Sequence, residues 1–228
     1  ISLRKKGIQT PIMVLNSEES QFLQLIEYDL EPEIFSFRQL YALQNVLKDL
    51  GLKSYSTHLK IDTGMRRLGF EITEIDSLCD WFNFQEEMKI ASVFSHLASS
   101  ENQKDRKFTL SQIHSFDQAC QTIKNKVPGK FLRHILNSSG IITYPEAQLD
   151  MVRLGVGIYG VGKENLKNCS TLKSVISQIK NISPGQSVGY ARSYIAKHKM
   201  QIAVIPIGYA DGLSRGLSNC KGKVYIKG

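Results

Sequence analysis

The chain has 228 residues, 42% of them hydrophobic, with 29 Lys and Arg against 21 Asp and Glu, a formal net charge of +8. That is enough apolar material for one large packed domain or two modest ones, and it excludes a disordered chain. The basic residues are scattered (Arg4-Lys5-Lys6, Arg66-Arg67, Lys124-Asn125-Lys126), so they read as solvated surface with some need to bind small anions, not as a nucleic-acid stripe. Cys79, Cys120, Cys169 and Cys220 lie far apart, without C-x-x-C or Cys/His metal spacing, as expected of reduced thiols in a cytoplasmic protein. No apolar run approaches the ~20 residues of a membrane span.

ISLRKKGI reads as the last turns of a helix closed by Gly7, so the chain is expected to be a fragment of a longer protein. TPIMVLN is an apolar strand ending at Asn16, and Asn16 with Glu19 has the spacing of a capping box for an amphipathic helix through about Tyr28. EPEIFSF is the next strand. Ser36 and Gln39 then cap a helix striped by Leu40, Leu43, Leu47 and Leu50 and stopped at Gly51. The unit recurs as STHLKIDTG with the helix around EIDSLCDWF, then KIASVFSHLA with a long helix carrying Ile113, Phe116, Cys120 and Ile123. FLRHILNSSG, a short helix near PEAQLD and the apolar MVRLGVGIYG complete six predicted strands with five crossovers. Strict alternation of strand and helix predicts an α/β fold with a parallel sheet and right-handed crossovers, open or closed into a barrel. Beyond Leu172 the helical period is lost. SVISQIKNI, GQSVGYARSYIA, KMQIAVIPIGYADG and GKVYIKG are strand-like and broken by Gly and Pro, which predicts an α/β domain over 1–172 and the beginning of a β-rich domain over 173–228.

In parallel β/α architectures chemistry gathers at the carboxyl ends of the strands. The sequence places Lys60 and Asp62, then His96, then Asn137 and Ser138, then Arg153 and Gly155 at those ends. In STHLKIDTG the two-residue period sends Leu59 and Ile61 to one face and His58, Lys60 and Asp62 to the other, a charged face that something must balance. Taken singly, each has a bland reading: a structural histidine, an asparagine in a turn or cap, an ammonium paired with Asp62. Glycines 155, 157, 160 and 162 suit either a phosphate cradle of backbone N–H groups or simple turns. Neither GxxxxGK[ST] nor a well-placed GxGxxG is present, which disfavours a nucleotide fold.

HLKIDTGMRRLGF, VFSHLASSE, HILNSSG, DMVRLGVGIYG and IAVIPIGYADGLSR, in this order and spacing, resemble alanine racemase, the pyridoxal 5'-phosphate (PLP) enzyme of bacterial wall synthesis. The resemblance runs from about Ile8 to Gly228 and implies a partial (β/α)8 TIM barrel, with six of its eight strands here, followed by the start of the C-terminal β domain. It implies an isomerase, interconverting L-alanine and D-alanine for peptidoglycan by two-base exchange of the α-proton, acting in the cytoplasm as a homodimer with no nucleic-acid or membrane partner and no metal. The alternatives are a racemase of serine or another small amino acid, and a non-catalytic PLP-binding or dimerisation module. The last is weakened because Tyr209, Arg67 and Arg153 are all retained.

The resemblance also implies roles. Arg153 resembles the arginine that hydrogen-bonds the pyridine nitrogen of PLP, and a permanently charged donor there makes the cofactor a weaker electron sink. Asn137 and Ser138, with the N–H groups of Gly155 and Val156, match the cofactor-binding set. His96 matches the histidine beside the ring, linking Arg153 to the catalytic tyrosine, Tyr209 of GYADG, which in the family reaches into the partner subunit. Lys60 resembles the family's carbamylated lysine and Arg67 the arginine it orients toward cofactor and substrate. No lysine here matches the one that anchors the cofactor covalently, so the polypeptide as given is expected to be inactive by itself. Open sheet edges at PIMVLN and MVRLGV are expected to pair with another chain. The sequence departs from the family fingerprint at Arg66, a position usually held by glycine or another residue and expected to tolerate variation.

Overall fold

The structure, a computed structural model, describes residues 1–162, 166–218 and 221–226. It divides into two compact units, Ile1–Cys169 and Ser170–Gly228.

The first unit opens with a short helix, α1 (Ser2–Lys5), that ends at Gly7 with φ +84°. Strands β1 (Met13–Val14), β2 (Glu31–Ile34), β3 (Tyr55–Lys60), β4 (Met88–Phe94) and β5 (Leu132–His134) pair in sequence order, every neighbour parallel. Helices α2 (Phe22–Glu27), α3 (Phe37–Asp49), α4 (Ile75–Asn83) and α5 (Arg106–Lys126) connect them. This is a partial TIM barrel. One register shift matters for the site: His58 pairs with Ser92 although Thr57 pairs with Ile90, so Ala91 is an extra residue on β4 that re-aims Ser92 across from His58.

Apolar periodicity explains the packing. Leu40, Leu43 and Leu47 on α3 are fully buried, as are Leu59 on β3, Val93 on β4 and Ile123 on α5, and together with Phe22, Phe70, Leu78 and Phe116 they form one continuous core. Leu50, the last of the predicted α3 stripe, falls at the C-cap and is exposed. Ser36 caps α3, its Oγ accepting from the Gln39 N–H at 3.3 Å.

Two local expectations fail. Asn16 does not cap a helix: it sits at φ +54°, a region asparagine tolerates, and its N–H donates to Glu33 Oε2 at 2.6 Å. The capping box is instead Glu18 with Gln21, on a 3-10 turn that runs into α2. MVRLGV is not a sixth strand. The N–H groups of Asp150 and Arg153 reach the carbonyls of Arg133 and Leu136 at 3.2 and 3.0 Å. Beyond Arg153 the backbone peels away, because the Gly155 and Gly157 N–H groups turn to the Ser138 hydroxyl instead of continuing a ladder. The sheet therefore has five strands, and its second edge is β5.

In the second unit, β6 (Gln178–Ile182) pairs antiparallel with β9 (Met200–Val204), and β7 (Ser187–Val188) with β8 (Tyr194–Ile195). GKVYIKG forms no strand over 222–226, and its last two residues lie outside the described ones. Ala196 alone is buried among the described residues of this unit.

Candidate active site

Alternation puts Glu31 and Glu33 on one face of β2, and His58 and Lys60 on one face of β3. Because Glu33 lies opposite His58 in register, each acid meets a base on the diagonal. Glu31 Oε2 accepts from His58 Nε2 at 2.8 Å, and Lys60 Nζ lies 2.7 Å from Glu33 Oε1. Asp62 is not the partner of Lys60. Its Oδ1 accepts from the backbone N–H groups of Gly64 and Arg66 at 2.8 and 3.1 Å and so shapes the loop after β3. That loop returns so closely that Phe70 bonds both Lys60 O and the Asp62 N–H, and a Cβ on Gly69 (φ +137°) would stand 2.5 Å from Asp62 N. Only glycine fits there.

From Arg153 a chain of hydrogen bonds runs through four strands, β5 to β2, and the donor at its head fixes the tautomer of the first histidine. The guanidinium can only donate, so Nη1–H gives to His134 Nδ1 at 2.6 Å. His134 then carries its proton on Nε2, which donates to Ser92 Oγ at 2.9 Å. Ser92 Oγ in turn lies 2.7 Å from His58 Nδ1, and His58 Nε2 donates to Glu31 Oε2 at 2.8 Å. Burial, with the Arg153 charge second and His58 third, holds the His134 imidazole down to about 3, so it is neutral. The His58 hydrogen bond keeps Glu31 below the usual carboxylate range, against desolvation that pushes the other way. His134 also stacks on Phe94, ring centroids 5.1 Å apart and 2° from parallel. Lys60 Nζ and Arg153 Cζ lie 5.6 and 5.0 Å from that same ring centre, close enough for its π face to favour both cations.

Arg153 is thereby immobilised. Nη2 donates to Ser95 O at 2.5 Å and reaches His96 Nδ1 at 3.4 Å. Its Nε–H is left without a partner among the described residues. Desolvation lowers the guanidinium to about 10, with the Glu33 charge opposing, and it stays cationic at neutral pH. His96 is lowered to about 4, by burial first and then by the charges of Arg153, Arg67 and Lys60. It is a neutral imidazole in a cationic surrounding. The same causes place Arg67 and Lys60 within electrostatic reach of His96, although Arg67 is exposed and makes no hydrogen bond or ion pair among the described residues.

Ser138 opens the short helix α6 (Ser138–Thr143), whose N-cap Asn137 accepts from the Gly140 N–H at 2.9 Å and from Ser100 Oγ at 2.7 Å. Ser138 Oγ accepts from the N–H groups of Gly155 and Gly157 at 2.9 and 3.1 Å, which leaves its own proton to donate outward. A 3-10 turn begins at Val156, whose N–H, in the first turn, has no partner among the described residues. Ser138, Val156 and Gly157 line a cavity of about 350 Å³ whose other walls are largely apolar, Ile141, Ile142 and Leu154 among them. In the second unit, GYADG is a single 3-10 turn closed by Gly212 at φ +94°, with Asp211 Oδ2 accepting from the Gly208 N–H at 2.9 Å. Tyr209 on that turn is exposed and, with Tyr190, Leu213 and Arg215, lines a cavity of about 420 Å³.

The structure thus brings Arg153, His96, Arg67 and Lys60 into one cluster and ties Ser138 to the glycine turn. Sequence reasoning missed Glu31, Glu33, Ser92 and His134. The alternation of EPEIF and the histidine of HILNSSG were visible signals. A neutral imidazole, a pinned guanidinium with a spare Nε–H, an outward hydroxyl and an uncapped N–H all present donors and positive charge, and that set fits an anionic, acceptor-rich ligand such as PLP.

Fold and site define a β/α-barrel protein whose strand ends gather donors and positive charge. The chain matches the family described as "Alanine racemase, N-terminal domain" over residues 1–163 and "Alanine racemase, C-terminal domain" over 169–228. It belongs to the alanine racemase family. It is 36% identical to the alanine racemase of Treponema denticola over 98% of this chain and 62% of that protein. The alanine racemase structure from Streptomyces lavendulae superposes with a TM-score of 0.84 at 25% identity, covering 95% of this chain and 60% of that one. The Bartonella henselae alanine racemase, solved with covalently bound pyridoxal phosphate, gives a TM-score of 0.73 at 26% identity over 94% of this chain and 60% of that one. The chain therefore spans about three-fifths of the length of the curated relatives it matches.

Proposed function

We propose that the protein to which this chain belongs interconverts L- and D-alanine with PLP, by exchanging the α-proton between two bases on opposite faces of the substrate. The observation that carries this reading is the arginine: both Nη atoms of Arg153 are engaged while its Nε–H has no partner among the described residues, beside a neutral His96 and the Ser138 turn. When bound, PLP supplies the electron sink that makes the α-proton removable. Arg153 would hold its ring nitrogen, and the Ser138 hydroxyl with the Val156 N–H would hold its phosphate, while the Gly155 N–H, expected in that set, is instead given to Ser138 Oγ and positions the hydroxyl. A guanidinium that stays protonated keeps that nitrogen unprotonated and so limits side reactions. Asn137 keeps Ser138 in place through its bonds to Gly140 and Ser100.

Arg67, exposed and without a hydrogen bond or ion pair among the described residues, would bind the substrate carboxylate. Tyr209 is the proton carrier that this chain contributes, acting as in the family across a homodimer. His96, held neutral, accepts from Arg153 at Nδ1 and leaves Nε2–H to orient the phenol. No helix among the described residues is long and apolar enough to cross a membrane, which accords with a cytoplasmic enzyme supplying D-alanine for peptidoglycan.

The test uses the full-length protein and follows interconversion of the alanine enantiomers with and without PLP. PLP-dependent racemisation that Tyr209→Phe slows by about 10²–10⁴-fold is expected, the range for a positioned general acid-base group. A protein that binds PLP but leaves alanine unchanged, or prefers serine, overturns the proposal.

A further inference from the structure

We propose that in this protein Glu33 is the permanent negative charge beside Lys60, and that Lys60 remains an unmodified ammonium rather than a carbamate. The geometry comes from the two strands. Glu33 on β2 stands opposite His58 on β3, so Lys60, two residues further along the same face, closes on it diagonally at 2.7 Å. The pair is buried, with 8% of the Lys60 side chain and 1% of the Glu33 side chain exposed. Glu33 Oε2 is held by the Asn16 N–H at 2.6 Å, and Oε1 has no hydrogen-bond donor aligned on it, so it meets Lys60 as an ion pair. The same strands make a second such diagonal with Glu31 and His58.

Carbamylation needs the opposite electrostatics. The ammonium must first lose a proton, the free amine then attacks the carbon of CO2, an N–C bond forms and a second proton departs. The side chain passes from +1 to −1. With Glu33 in contact, the pair passes from neutral to two negative charges inside a buried site, where like charges in contact resist joint ionisation.

Glu33 already acts on the rest of the cluster, since its charge is the one that opposes desolvation at Arg153. Arg67 then has no carbamate beside it, and its guanidinium, without a partner among the described residues, is left for a ligand. The state of the Lys60–Glu33 pair is independent of which amino acid is turned over, whereas the consequence for Arg67 rests on the racemase reading.

The experiment is 13C NMR of the full-length protein equilibrated with 13C-bicarbonate at mildly alkaline pH, beside K60M to assign any lysine carbamate. The expected result is no carbamate resonance in the wild type beyond that of K60M, and a new one in Glu33→Gln that disappears in the double variant with K60M. A wild-type resonance lost in K60M overturns the proposal, as does a folded Glu33→Gln protein that stays silent. Glu33→Asp, which keeps the charge, is expected to remain silent, and a carbamate in it also overturns the proposal. If Glu33→Gln does not fold, the wild-type spectrum still decides, and so does Glu33→Asp. Neither readout uses activity, so an inactive protein with a silent spectrum refutes the racemase reading and leaves the pair standing.

Discussion

The two units use apolar residues in opposite ways. In Ile1–Cys169, helices cover one face of a five-stranded sheet, and Leu40, Leu43, Leu47, Leu59 and Ile61 are at most 1% exposed. In Ser170–Gly228, the strand pairs carry Ile179 at 60% exposure, and Tyr190 and Tyr209 stand far into solvent. A two-stranded pair without a covered face gains little from burial, since three or more strands or a packed helix are needed for independent stability. The first unit thus holds its side chains rigidly enough to fix proton positions along a hydrogen-bond chain. The second presents Tyr209 on a turn that its own packing does little to hold.

The largest expected break in that contrast is a cavity in the covered sheet. Leu43→Ala should lower unfolding free energy by about 2–5 kcal/mol, because the fully buried α3 side chain leaves a void its neighbours cannot fill. Ile179→Ala in the second unit should stay within about 0.5 kcal/mol, as for surface substitutions. Urea unfolding of both variants measures the difference, and equal losses would mean that the β pairs are covered in solution.

The same contrast governs what was legible. Helices with a buried face announced themselves, because the leucine stripe of α3 and the caps at Ser36 and Gly51 are local signals. The fifth crossover did not end in a strand: MVRLGV has strand composition, and its departure from the sheet is decided by the Ser138 hydroxyl, a contact across the chain. Site residues carried by motifs could be named, and the structure gathers Arg153, His96, Lys60 and Arg67. The partner of Lys60 could not be read, because register between β2 and β3 is a tertiary fact. Asp62, two positions away and on the same predicted face, was the nearest visible acid, yet its oxygen is taken by two backbone N–H groups. His134 was hidden for a similar reason. Its role depends on Ala91 shifting the register of β4 so that Ser92 bridges the two histidines.

A smaller effect tests the buried network by pH. The free imidazole value is 6.5, and in the folded unit His134 falls to about 3 and His96 to about 4. Folded values lie below the unfolded one, so between them the unfolded chain binds the extra protons, and stability rises with pH. The contribution is complete above pH 6.5 and is lost as pH falls through the window toward about 3. Acid titration of unfolding free energy should show this slope, on the order of 2 kcal/mol after allowance for partial solvation. His134→Gln should reduce it to the His96 share, and an unchanged slope would place the titrating group elsewhere.

The smallest effect lies in the loop that Asp62 shapes, where Arg66 occupies φ +54°. An L side chain in that region crowds the following carbonyl, whereas glycine adopts it freely. The Arg66 side chain offers little in return, since its 2.6 Å contact with Glu71 is exposed and screened by water and salt. Arg66→Gly should therefore raise the melting temperature of the first unit by roughly 2–4 °C. Since Arg66 touches neither Arg153 nor His96, PLP affinity should not change. A fall in melting temperature would show that the Glu71 pair, and not the backbone, governs this turn.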